Sequence, residues 1–257
     1  MKHKHSIMNL LLAGCLSISF ISCIDEHDDK FAAAEKEKKR IEEEYKKFEQ
    51  IKEVSVSGEV EGYSYVDLEL PSGLKWATVN VGATKPTDFG SYFAWGETES
   101  KDEFLLENYK WHDGEFYTKY IMERNTTESD NKTVLDPEDD VATANWGDKW
   151  RIPTAEEMQE LIDGCSWRFN MNFTNTGVAG IVGMSKTNNN VIFLPAGGCK
   201  SISNASVPTG NYWTSTFGKN EFSDDSHFAY YLYFNPYNAT LIEHLRIYGR
   251  NVRAVAK

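Results

Sequence analysis

The segment GDKWRIPTAEEMQELIDG, residues 147–164, carries the strongest local signal in the chain. Thr154 stands three residues before Glu157. That is the spacing of a capping box, in which each side chain satisfies an exposed backbone donor of the other. Met158, Leu161, Ile162 and Cys165 follow at i, i+3, i+4 and i+7, one apolar helix face. A helix is therefore predicted after Thr154, with Gly164 ending it. The rest of the segment beyond Val54 has a different period. In Tyr63–Leu70, Val66, Leu68 and Leu70 alternate with Tyr65, Asp67 and Glu69. Pro71-Ser72-Gly73 makes a turn and Leu74–Val81 returns, which reads as a hairpin. A second hairpin is predicted from Gly180–Ser185 and Val191–Pro195 across the turn-rich KTNNN. Tyr212–Thr216, Ala229–Asn235 and Asn251–Val255 read as further short strands, and residues 98–133 as a long polar excursion. No strand–helix alternation recurs, so the expected class is α+β: short antiparallel strands, one or two helices and long loops.

Residues 31–53 are rich in Ala, Glu and Lys and lack Gly and Pro. That composition favours helix. Ile41, Tyr45, Phe48 and Ile51 form only a narrow apolar stripe. The segment reads as a spacer of about 35 Å, with a short dimerising coiled coil as the alternative. Before it, Lys2 and Lys4 precede a mostly apolar run, Ile7–Ile21, too short for a membrane span. The run ends FISC, which resembles a bacterial lipobox with Cys23 as the acylated residue. LAGC at Leu12–Cys15 fits the consensus too, but leaves too short an apolar run. An ordinary secretory peptide is the alternative. The expected organisation is a signal peptide over 1–22, an acidic tether and helical spacer over 23–54, and a globular domain over 55–257.

The formal charge is −12. Removing residues 1–22, with two lysines and no acids, takes it to −14. That charge, with no basic cluster among aromatics, argues against a nucleic-acid partner. The acidic IDEHDDK after Cys23 resembles the surface-export signal of Bacteroidetes-type lipoproteins. Cys165 and Cys199 remain beyond the anchor, as a disulfide or as two thiols, and do not make a zinc site.

Several stretches invite chemistry. DPEDDVATANWG holds Asp136, Glu138, Asp139 and Asp140. It reads as a helix cap at Asp139 or Asp140 with solvated neighbours, the alternative being a calcium loop. EFSDDSH, with Glu221, Asp224, Asp225 and His227, reads as an exposed acidic loop. Trp76, Trp95, Trp146, Trp150 and Trp213 read as core. Arg151, Arg250 and Arg253 are expected to pair with acidic groups, the alternative being that they bind anions. No nucleophile elbow, P-loop, dinucleotide fingerprint or HExxH is present. No metal, cofactor or catalytic residue is assigned.

Six blocks occur in the order typical of one family: YVDLELPSGLKWATVNVGA, GSYFAWGETESK, LDPEDDVATANWGDKWRIPTAEEMQELI, VIFLPAGG, GNYWTST and GRNVRAV. Over roughly residues 60–257 the chain resembles the Fibrobacter-type major paralogous domain of exported lipoproteins. The resemblance implies a C-type-lectin-like fold, the variant shared with formylglycine-generating enzymes and retroelement-diversified proteins. It implies that the last strands contribute to a ligand surface. The enzyme branch's late cysteine pair and the sugar-binding triplets of calcium lectins are absent. In AYYLYFN, Tyr230, Leu232 and Phe234 are then expected inside. Tyr231, Tyr233, Asn235, Tyr237, Ile242, His244, Ile247 and Tyr248 are expected at the exposed end, as the binding face. Tyrosine suits such a face because it offers wide contact with few rotatable bonds. The functional expectation is a surface-displayed outer-membrane lipoprotein, membrane-bound through its lipid, whose non-enzymatic domain binds an extracellular protein or glycan. A structural subunit of an envelope assembly and a formylglycine-generating-type enzyme are the alternatives.

Overall fold

The computed structural model describes residues 24–122, 129–200, 207–218 and 227–257. The stretch over 1–22 read as a signal peptide, Cys23, Glu221, Asp224 and Asp225 lie outside the described residues. The chain divides near residue 50 into two compact units.

The first is α1, Ile24–Gln50. It begins earlier than the composition of residues 31–53 suggested and ends three residues sooner. Ion pairs Glu35–Lys39 at 3.2 Å and Glu37–Arg40 at 2.6 Å are exposed and contribute little. Among the described residues no helix is long and apolar enough to cross a membrane.

The second unit is mixed α+β. Its strands and helices are β1 (Gly58–Val60), β2 (Tyr63–Asp67), β3 (Lys75–Ala77), α2 (Val141–Trp146), β4 (Trp150–Arg151) and α3 (Ala155–Gly164). There follow β5 (Cys165–Asn170), β6 (Gly180–Ser185), β7 (Val191–Pro195), β8 (Gly210–Phe217), β9 (Phe228–Phe234), β10 (Ala239–Leu245) and β11 (Val255–Ala256). They form three antiparallel sheets, ordered β1-β2-β3-β11-β4, β5-β6-β7 and β10-β9-β8. Both predicted hairpins form, β2–β3 and β6–β7. β5 and β10 were not foreseen. The predicted strand at Asn251–Val255 is regular only at its end, although Asn251 makes an isolated bridge to Tyr212.

α3 has the predicted cap. Thr154 Oγ1 accepts from Glu157 N at 3.3 Å, and Thr154 N donates to the Glu157 carboxylate at 2.8 Å. Glu157 also takes a two-pronged ion pair from Arg151, at 2.6 and 2.7 Å. Met158, Leu161 and Cys165 are buried.

Two core clusters sandwich the β10-β9-β8 sheet. Trp213, Tyr231 and Ala229 belong to one, Tyr212, Leu232 and Phe234 to the other. This arrangement corrects the expectation for β9. Tyr231 does lie opposite Leu232 and Phe234, but it is only 4% exposed. Tyr230, expected inside, is half-buried. A strand covered on both faces reads as a nearly continuous apolar run, and alternation no longer distinguishes core from solvent. The five tryptophans singled out in the sequence are all buried.

Arg253 corrects a second expectation. It is fully buried and meets no carboxylate among the described residues. Its Nε donates to Asn80 Oδ1 at 3.0 Å, Nη1 to Ala77 O at 3.1 Å and Nη2 to Phe193 O at 3.0 Å. The side chain thus ties β3 to β7. Arg250 likewise meets no carboxylate among the described residues, as set out below.

Candidate functional site

A groove of about 800 Å³ opens where the end of the β10-β9-β8 sheet meets the connection from β7 to β8 and the segment after β10. β9 supplies Tyr231 and Tyr233. β8 supplies Asn211, the direct cross-strand partner of Tyr233. β10 supplies His244, and the segment beyond it Tyr248 and Arg250. The opposite wall is built by residues 196–200 and 207–209.

That wall is held by backbone bonds. Gly198 N donates to Thr209 O at 2.7 Å, and Lys200 and Gly249 exchange bonds at 2.8 and 3.0 Å. Gly198 has φ +73°, a conformation that favours glycine. Gly197 is required by close approach: a Cβ there would lie 2.6 Å from Asn251 Oδ1. Tyr92 closes the wall by donating its hydroxyl to Gly197 O.

Arg250 is the base of the groove. It is 2% exposed. Its guanidinium carbon sits 4.2 Å from the Trp213 ring centroid and 3.9 Å from that of Tyr231. These two rings are a cross-strand pair, met edge to face at 5.8 Å. Nη1 donates to Leu245 O at 3.2 Å, and the side chain hydrogen-bonds Tyr231. Nε has no acceptor among the described residues. Burial pulls the guanidinium below its ordinary pKa, against weaker upward pulls from Cys199 and the tyrosines. Desolvated cation–ring contacts of this kind are worth about 2 kcal/mol.

His244 stacks on Tyr248 with ring centroids 5.4 Å apart. Its Nδ1 accepts the Leu245 N–H at 2.9 Å, which leaves the proton of the neutral ring on Nε2 as a donor. Burial, then the charge of Arg250, holds its pKa below the usual histidine value.

The structure thus brings Tyr231, Tyr233, His244 and Tyr248 to one groove, with Tyr231 at its buried base rather than on a free surface. It does not bring the other expected residues there. Asn235 shapes the β9–β10 turn, its Oδ1 accepting from Tyr237 N at 2.8 Å and Asn238 N at 3.0 Å. Tyr237 stands at the turn, 89% exposed, and Ile242 is exposed on β10. Ile247 packs with the small cluster around Phe104 and Tyr109. Sequence reasoning missed Lys200, Asn211 and the Gly197-Gly198 wall. The paired glycines in PAGGCK were the available signal, since adjacent glycines mark close backbone approach.

The acidic stretch at 136–140 is a structural network. Asp140 caps α2, as one of the two residues expected to do so. It accepts from Ala142 N at 2.9 Å, Thr143 N at 3.1 Å and Ile152 N at 2.8 Å. Burial nonetheless raises its pKa to about 6, the three N–H groups opposing. Asp136, Glu138 and Asp139 place carboxylate oxygens within 4.8 Å of one another. Lys119 stands 2.6 Å from both Asp136 and Asp139, and Lys110 3.0 Å from Asp139. Ammonium groups therefore already compensate these acids. Asp139, the other cap candidate, does not cap α2; it is 1% exposed and also accepts from the Tyr120 hydroxyl at 2.7 Å. His227 packs against the Tyr117 ring at 4.8 Å. Cys165 and Cys199 are both thiols, which answers the disulfide question left by the sequence.

No protein-family model, curated protein or solved structure matches this chain.

Proposed function

We propose that the protein is a surface-displayed lipoprotein of the major paralogous type, anchored through Cys23, whose C-type-lectin-like domain is a non-enzymatic receptor. Its ligand is an extracellular protein or glycan, held in the groove between β9 and the β7–β8 connection. One observation carries this reading: Tyr231, Tyr233, His244 and Tyr248, all drawn from the C-terminal segment, line one groove. Concave sites with aromatic walls and a few placed polar groups are where proteins hold ligands. Tyr233, His244 and Tyr248 have at least partial access to solvent, while Tyr231 and Arg250 beneath them are fixed. A fixed base limits the ordering cost of binding.

The test is a comparison of the full chain with Tyr233→Ala/Tyr248→Ala on an array of glycans and secreted proteins. The reading expects ligands bound by the native chain and lost by the variant, with thermal midpoints within a few degrees. Undiminished binding by the variant would place the site elsewhere.

A further inference from the structure

Arg250 is a buried cation without a carboxylate partner among the described residues. Such a charge costs several kcal/mol unless something opposite in sign is near. The chain holds 39 acidic residues, yet among the described residues no carboxylate lines the groove, and Lys200 lines it as well. A described lining with two cations and no carboxylate, in an otherwise acidic protein, is complementary to an anion. The guanidinium fork suits a carboxylate in particular.

The remaining wall groups point to a sugar as the bearer of that carboxylate. Two backbone donors of the wall are already spent, Gly198 N on Thr209 O and Lys200 N on Gly249 O. A peptide adding as a strand would need such donors. Tyr233, His244 and the Tyr248 ring that His244 stacks on offer instead apolar planes, beside the Thr209 hydroxyl and the Asn211 amide, which bond each other at 3.3 Å. That combination matches the C–H face and hydroxyl rim of a pyranose.

We infer that the groove takes a carboxylated sugar of the uronic or sialic acid type, its carboxylate set toward Arg250 and Lys200. This rests on the receptor reading above and narrows its ligand.

Calorimetry with the full chain in detergent tests it. The probes are oligosaccharides ending in glucuronic acid or N-acetylneuraminic acid, their methyl esters, the neutral glucose counterpart, and a tripeptide with a free or amidated C-terminus. The expected result is binding of one or both acids, at least about tenfold weaker for the ester, and weakened by salt. Lys200→Gln should weaken the acid and leave the ester unchanged. Because Lys200 is exposed, this variant remains informative if Arg250→Lys fails to fold. Equal binding of acid and ester overturns the carboxylate and leaves the receptor reading standing. Binding of the free peptide alone overturns the sugar. Binding of none of these probes overturns the inference, and the receptor reading falls with it only if the glycan and protein array is also blank.

Discussion

The Arg250 guanidinium lies 3.9 Å from the centroid of the Tyr231 ring and 4.2 Å from that of Trp213. Tyr231 is therefore part of the support beneath the groove, and Tyr233, two residues on, is part of its lining. Tyr231→Ala should cost about 3–5 kcal/mol by emptying an aromatic site in the core. The thermal midpoint should fall by roughly 10 °C. Tyr231→Phe keeps the ring and should cost far less. Tyr233→Ala should cost about 1 kcal/mol or less. Equal losses at the two alanine variants would mean that β9 is not buried as described.

Arg253 should be intolerant of lysine. Its three nitrogens reach Asn80, Ala77 and Phe193 at once, and one ammonium cannot cover that span. Arg253→Lys leaves buried acceptors unpaired, at about 1–3 kcal/mol each. Urea unfolding should register the loss. A midpoint unchanged from the native one would show that the three-way tie contributes nothing.

Asp140 gives a pH signature. Burial raises its carboxyl to about 6 in the folded chain, against an ordinary value of 3.8. Between those values the native state holds a proton that the unfolded chain has released, so this group's contribution to stability falls as pH rises. Asp140→Asn removes that titration and turns an amide N–H₂ toward one or more of the backbone donors at Ala142, Thr143 and Ile152. The variant should be less stable by about 1–3 kcal/mol. Its deficit should be largest near pH 4 and shrink toward pH 6. Urea unfolding of both proteins across that window checks the sign, and a deficit growing with pH would refute it.

The thiols should differ. Cys165 is 2% exposed, and burial pushes its pKa up to about 12. At pH 8 it is almost wholly protonated and shielded. Iodoacetamide followed by peptide mapping should label Cys199, which is half-buried at the groove, well before Cys165. Cys165 should react only after unfolding. Rapid labelling of Cys165 in the native chain would contradict its placement.

The sequence foretold elements wherever a local rule decided them. Thr154 and Glu157 fixed the start of α3, and the Pro71–Gly73 turn fixed the first hairpin. Asp140 was one of two candidates for the α2 cap. What stayed hidden depended on distant chain. β5 begins directly at Cys165, which the apolar spacing had counted with the helix face although Gly164 ends α3 as expected. β10 carries mixed polar and apolar residues, ATLIEHL, because it is a half-exposed edge strand. The two-sided burial of Tyr231 depends on Arg250 and Trp213, nineteen and eighteen residues away in the chain, and no local pattern announces it. Arg250 and Arg253 were assigned carboxylates because buried charges ordinarily have them. Ring faces and carbonyls took that place instead.

β11 lies between β3 and β4 in the five-stranded sheet. The neighbouring residues Arg250 and Asn251 bridge Phe93 and Tyr212. During synthesis, β3 and β4 can therefore face one another only across an empty slot until residues 250–256 have been made. Closure of this sheet waits on contacts of long sequence separation, which form slowly.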